Sequence, residues 1–213
     1  MQPGGRRLQI SEIEEERKLR NMSAKILAFA GSTRRNSYNK KLVRHAAQAA
    51  ETAGAEVTLI DLRDFALPLF DEDLEAEGTP AAAQQLKQLF LSHNGLLIAS
   101  PEYNSSLSAV LKNAIDWVSR SASGEPMKAA FLDKVAAVMS ASPSGLGGLR
   151  GLVHLRSILQ NIGVLVLPDQ YALGSAQSAF GEDGLLVDER TSKTVAAISR
   201  KLVVTISRLN AVD

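Results

Sequence analysis

Two polar stretches carry the residue types that could do chemistry. The first is Gly31-Ser32-Thr33-Arg34-Arg35-Asn36-Ser37-Tyr38-Asn39, set between an apolar run at 26–30 and an alanine-rich segment with helical periodicity. Strand, glycine, polar loop and helix start, in that order, build an anion site from backbone. The first N–H groups of a helix lack intrahelical partners, and the macrodipole places about half a positive charge there. Ser32, Ser37 and Asn39 add neutral donors, and Arg34 and Arg35 add charge able to fork onto phosphate oxygens. A plainer reading of the same residues is that Ser37 or Asn39 caps the helix and the arginines are solvated.

The second stretch, Pro101-Glu102-Tyr103-Asn104-Ser105-Ser106, follows a uniformly apolar run at 95–100. Its proline stiffens the chain as it leaves that run, so the following N–H groups can face a planar, acceptor-rich ligand, and Tyr103 offers an apolar edge. The alternative is an ordinary turn with Ser105 or Ser106 as a helix N-cap. A third polar, glycine-containing segment, 140–148, admits the same two readings.

The elements that must position these stretches are regular. Strands are expected at 25–30, 56–62, 95–100, 134–140 and 164–167, the last ended by Pro168. Helices are expected at 38–53, 81–92, from 107 to about 120, from the 140–148 segment to 162, and at 188–209. Residues 63–80, with Pro68 and the acids Asp71, Glu72, Asp73, Glu75 and Glu77, read as loop. Five strands alternating with helices predict an α/β fold: a parallel sheet covered on both faces. The favoured order for five such strands is 2-1-3-4-5, with ligands beyond the carboxyl ends at the switch between strands 1 and 3. That order brings the first two polar stretches together, with 140–148 adjoining. A ligand with a phosphate end and a heteroaromatic end explains the set economically.

Composition narrows the chemistry. The 213 residues are 45% hydrophobic with a net charge of +1, enough for one domain and without the basic footprint of nucleic-acid binding. With no cysteine there is no disulfide, iron–sulfur cluster or thiolate metal site, which fits a cytoplasmic setting. No apolar run reaches the ~18–20 residues of a membrane span, and the first residues lack a signal peptide's apolar core. Residues 1–22 read as an extension: Ser11 and Glu14 resemble a capping box, the pairs Glu14–Lys18 and Glu16–Arg20 would support a short helix, and Met22 offers an alternative start. The folded domain is expected over 23–213.

Other catalytic patterns are missing. There is no Gly-x-Ser-x-Gly elbow, no Walker pattern, and no close spacing among His45, His93 and His154, so no metal site is expected and the histidines read as surface or packing residues. The glycines of 145–151 follow the fourth strand, not the first, and miss the spacing of a dinucleotide fingerprint. Trp117 lies past the ligand-facing helix start and reads as packing.

Gly31-Ser32-x-Arg34-x-x-Ser37-x-Asn39 and Pro101-Glu102-Tyr103-Asn104, followed by Leu111-Lys112-Asn113-Ala114-Ile115-Asp116-Trp117, resemble the flavodoxin-like NAD(P)H-dependent FMN reductases, a group related to quinone, chromate and azo-dye reductases. The resemblance covers about 25–209. It implies that Ser32, Arg34, Ser37 and Asn39 hold the FMN phosphate and that Pro101, Glu102, Tyr103 and Asn104 lie along the isoalloxazine, with Ser142, Ser144 and Gly145 contributing from the third segment. It implies NADPH or NADH as electron donor, a quinone, flavin or similar small molecule as acceptor, and a homodimer or homotetramer with the 107–120 helix near an interface. No side-chain acid or base is expected, since the hydride chemistry belongs to the cofactor. The competing function is a flavodoxin-like electron carrier or a flavin-binding module without NAD(P)H turnover. Net charge argues mildly against a carrier, and the acidic cluster at 71–77 argues for one.

Overall fold

A computed structural model describes residues 23–122 and 124–211. The extension expected over 1–22 lies outside them. The chain runs β1 (Lys25–Ala30), α1 (Tyr38–Thr52), β2 (Glu56–Asp61), α2 (Glu72–Glu77), α3 (Ala81–Leu91), β3 (Gly95–Ala99), β4 (Glu102–Tyr103), β5 (Ser106–Leu107), α4 (Ala109–Val118), β6 (Val135–Ala141), α5 (Leu149–Asn161), β7 (Leu165–Leu173) and α6 (Glu189–Asn210). The five long strands form one parallel sheet in the order β2-β1-β3-β6-β7. Counting those strands alone, this is the expected 2-1-3-4-5 order.

Alternation along each strand divides the core. In β1, Ile26, Ala28 and Ala30 face the cluster built with α1 and α6, while Leu27 and Phe29 face the cluster built with α3, α4 and α5. Strands covered on both faces must be apolar throughout, which is why β3 and β6 are buried along their whole length. Leu111, Ala114, Ile115 and Val118 of α4 pack into the second cluster, so that apolar stripe serves the sheet. Trp117 is buried, donates its indole N–H to the Pro68 carbonyl at 2.8 Å and meets Phe70 edge-on, a packing residue as expected. Among the described residues no helix is long and apolar enough to cross a membrane.

Three expectations need correction. The fifth strand does not stop at Pro168: β7 continues to Leu173, with a register shift against β6 between Ala136 and Val138. Proline is tolerated there because β7 is an edge strand, where a missing N–H donor leaves no neighbour unpaired. The 63–80 segment is not all loop, since Asp71 caps α2 by accepting the Asp73 N–H at 2.8 Å and Glu72, Asp73 and Glu75 sit at the favourable end of the helix dipole. The 101–106 segment is a two-stranded hairpin, β4–β5, turned by Asn104 (φ 51°) and Ser105 (φ 65°). Two successive left-handed residues give the twist a short hairpin needs, and asparagine tolerates that region well. Helix α4 therefore starts later than expected, and its N-cap is Ser108, not Ser105 or Ser106.

Candidate functional site

β1 ends in the middle of the sheet, so the loop after it emerges at the switch point between β1 and β3. Gly31 donates its N–H to the Ala99 carbonyl at 2.9 Å, and a Cβ there would lie 2.9 Å from Leu111 Cδ2. The glycine lets α4 close against this loop. Ser108 then ties the two together, donating its hydroxyl to the Gly31 carbonyl at 2.6 Å while accepting the Leu111 N–H.

The loop returns to helix at Ser37, the N-cap of α1. Ser37 is buried and extended, yet its hydroxyl makes no capping hydrogen bond. Ser108, Asp188 and Asp71 all cap their helices. The first-turn N–H groups of α1 are thus left for something else. Ser32, also buried, accepts the Arg34 N–H at 3.3 Å, and the Arg34 guanidinium lies 5.4 Å from the Tyr38 ring centroid. Arg35 is exposed.

Asn39 does something the sequence did not suggest. It is buried, donates its amide to the Ala141 carbonyl and accepts the Ala141 N–H, both at 2.9 Å. This two-way bond makes it a clamp between α1 and the end of β6. Ser140 continues the tie by donating to the Gly147 carbonyl at 2.7 Å.

Glu102 is a second clamp. Its side chain is only 8% exposed, and it accepts the Arg150 N–H at 3.0 Å, the Gly151 N–H at 3.3 Å and the Arg150 guanidinium at 2.7–2.8 Å. The N-cap of α5 is Gly148, which has no side chain to offer, so Glu102 supplies the missing acceptor across space. Burial pushes the carboxyl up, but the Arg150 side chain, the Gly151 N–H, the Arg150 charge and the Arg150 N–H together outweigh it, and the group sits below the usual glutamate range. The glycine run makes this packing possible. Gly147 and Gly148 are left-handed, and a Cβ on Gly147 would sit 2.6 Å from the Ala172 carbonyl carbon.

These pieces border one cleft of about 120 Å³, lined by Ser32, Arg34, Ser37, Asn39, Pro101, Glu102, Tyr103 and Ser142, and also by Tyr38, Ala141 and Pro143. Eight of the eleven residues singled out by sequence converge there. Asn104, Ser144 and Gly145 do not line it. Asn104 instead joins Tyr103 on a larger open groove of about 630 Å³, which runs along Ser106, Lys112 and His154. Ser144 donates its N–H to the Ser142 hydroxyl and, like Gly145, is exposed. Tyr38, Ala141 and Ser108 were missed. A tyrosine at a helix start and an alanine at a strand end leave no chemical signature, whereas Ser108 could have been found as the serine directly before the α4 pattern. The histidines have packing partners: His93 bonds to the Leu89 carbonyl and Thr58, His45 to Ser192, and His154 to Ser106.

The model of the family described as NADPH-dependent FMN reductase matches residues 24–178. An NAD(P)H-dependent FMN reductase of Pseudomonas aeruginosa is 34% identical over 186 residues, covering 87% of this chain and 96% of its own. An NADPH:quinone oxidoreductase of Arabidopsis thaliana is also 34% identical, over 82% of this chain and 87% of its own. Among solved structures, the flavoenzyme NAD(P)H:(acceptor) oxidoreductase FerB of Paracoccus denitrificans superposes with a TM-score of 0.74 at 28% identity, over 87% of this chain and 98% of that one. With a switch-point cleft, an open helix N-terminus and matches of this extent, the chain belongs to the NADPH-dependent FMN reductase family.

Proposed function

We propose that the protein is an FMN-dependent NAD(P)H oxidoreductase that passes electrons to quinones, flavins or similar small acceptors in alternating half-reactions. The observation that carries the reading is the uncapped N-terminus of α1, opening into a switch-point cleft beside Ser32, Ser37 and Arg34. A phosphate monoester is close to a dianion, and a helix dipole plus one arginine and two hydroxyls compensates it without excess. Ser32, Arg34 and Ser37 would hold that phosphate directly. Asn39 would act through Ala141, and its one uncommitted amide hydrogen could reach the same group.

Pro101, Glu102 and Tyr103 would border the ring end, with Ser142 beside them. Asn104, Ser144 and Gly145 would flank it from outside the cleft. Bound FMN supplies the hydride chemistry, and the chain supplies position and electrostatics. Among the described residues Glu102 is the one carboxylic acid lining the cleft, and its oxygens are already engaged by Arg150 and Gly151. A proton for a reduced acceptor therefore comes from water. The names of the relatives at 34% identity favour reductase turnover over a carrier role and support quinones as an acceptor class.

Purified protein should be yellow and should be bleached by NADPH within the mixing time without air. A colourless protein that gains no FMN overturns the reading, and bleaching over many minutes favours the carrier. We also infer a cytoplasmic homodimer or homotetramer. In it a second copy covers the groove between α4 and α5, where Tyr103, Leu107, Ala109 and Ile158 offer apolar surface. Light scattering that shows a monomer at all concentrations removes that inference.

A further inference from the structure

The two adjacent arginines of the first loop are treated differently by the fold. Arg34 stacks on Tyr38, while no ring contact or ion pair among the described residues involves Arg35. Tyr38 is itself held. Its ring is nearly parallel to that of Phe180, with centroids 6.3 Å apart and planes 6° apart, and Lys41 lies 5.5 Å from the Phe180 centroid. Both rings pack against the core cluster of α1 and α6, and Phe180 is pinned by a bridge to Leu186. The result is a row, Arg34–Tyr38–Phe180–Lys41, laid along the edge of the core and ending at the rim of the cleft.

Stacking fixes a guanidinium by its face and leaves the N–H donors around its edge free. Among the described residues Arg34 has no carboxylate partner to consume those donors, and its backbone N–H is already fixed on Ser32. A surface arginine normally loses side-chain entropy when it captures an anion, and a stacked one has given up much of it beforehand. We propose that Tyr38, braced by Phe180, is a positioning residue that pre-sets Arg34 for the phosphate monoester of FMN and so lets the site discriminate FMN from riboflavin. This rests on the cofactor reading above. Neither ring needs to touch the isoalloxazine for the effect.

The test is a titration of the full-length apoprotein with FMN and with riboflavin, read by quenching of flavin fluorescence. Tyr38→Leu should raise the FMN Kd at least tenfold and leave the riboflavin Kd within twofold. Tyr38→Phe, which keeps the ring, should hold FMN within threefold of wild type. Phe180→Leu reaches the same row from its other end and should shift FMN three- to tenfold with riboflavin unchanged. In an Arg34→Ala background, Tyr38→Leu should add less than twofold. Equal weakening of both flavins by Tyr38→Leu and Phe180→Leu would show a merely structural role and overturn the proposal, as would unchanged FMN affinity. A wild-type chain that binds neither flavin overturns the cofactor reading itself, a different failure from a wild type that binds both alike.

Discussion

Two helix N-termini border this site, and they are finished in opposite ways. At α5 a buried carboxylate from another part of the chain, Glu102, occupies the N–H groups, helped by Arg150. At α1 a residue well able to cap, Ser37, leaves the N–H groups unclaimed. Both ends carry the same dipole and the same orphan donors, so the local physics is identical. The difference lies in who brings the anion. An internal anion makes a permanent joint, here between the β4–β5 hairpin and α5. An end left open keeps its N–H groups for water or for an external anion.

The sharpest way to break this contrast is to give α1 its own anion. Ser37→Asp should act as a good N-cap, so the melting temperature of the apoprotein should hold or rise. FMN affinity should fall at least 100-fold, about 2.7 kcal/mol, measured by flavin fluorescence. Unchanged affinity would mean the open end is not the phosphate seat. Next in size is Asn39→Ala, which leaves the Ala141 N–H and carbonyl unpaired in a buried place. A loss of about 2–3 kcal/mol in urea denaturation is expected, and a loss under about 0.5 kcal/mol would show that the clamp is replaceable.

Glu102→Gln probes the closed end and should cost about 1–2 kcal/mol, since the side chain keeps its volume and loses its charge. The acid limb gives the sign. A carboxyl held below its usual range contributes stability that is complete above the ordinary glutamate value of 4.5 and is lost as pH falls through the folded value. Wild-type stability should therefore drop more steeply than that of Glu102→Gln below pH 4.5, and parallel curves would contradict the clamp. Smallest is Asp116→Ala, which breaks the exposed i,i+4 pair with Lys112 away from both termini. It should change stability by less than about 0.5 kcal/mol, a baseline for the other three.

Much of this was readable in the residues. The 26–30 run, the polar loop and the alanine-rich helix announced a strand, a loop and a helix start at one place because these are local patterns. The order of the sheet followed from alternation and the handedness of crossovers. The misreadings share a cause. Pro168 looked like a terminator because sequence does not say which strand is at an edge. Ser105 and Ser106 looked like caps because a left-handed turn at Asn104 and Ser105 depends on the hairpin that it closes. Asn39 is a separate case: beside its expected place at the phosphate it has a second task, with its amide engaged 102 residues away at Ala141 and one hydrogen left over.

What the sequence by itself determined is the parallel sheet, the switch point and the residues gathered there, because hydrophobic periodicity and helix-start chemistry act over a few residues. What only the tertiary structure decided is how each polar group is employed. Ser37 and Glu102 both stand where a helix N-terminus needs an acceptor, and nothing in their neighbouring residues says which end is open. That is settled by distance in space: Glu102 reaches the N–H groups of α5, and among the described residues no side chain caps α1.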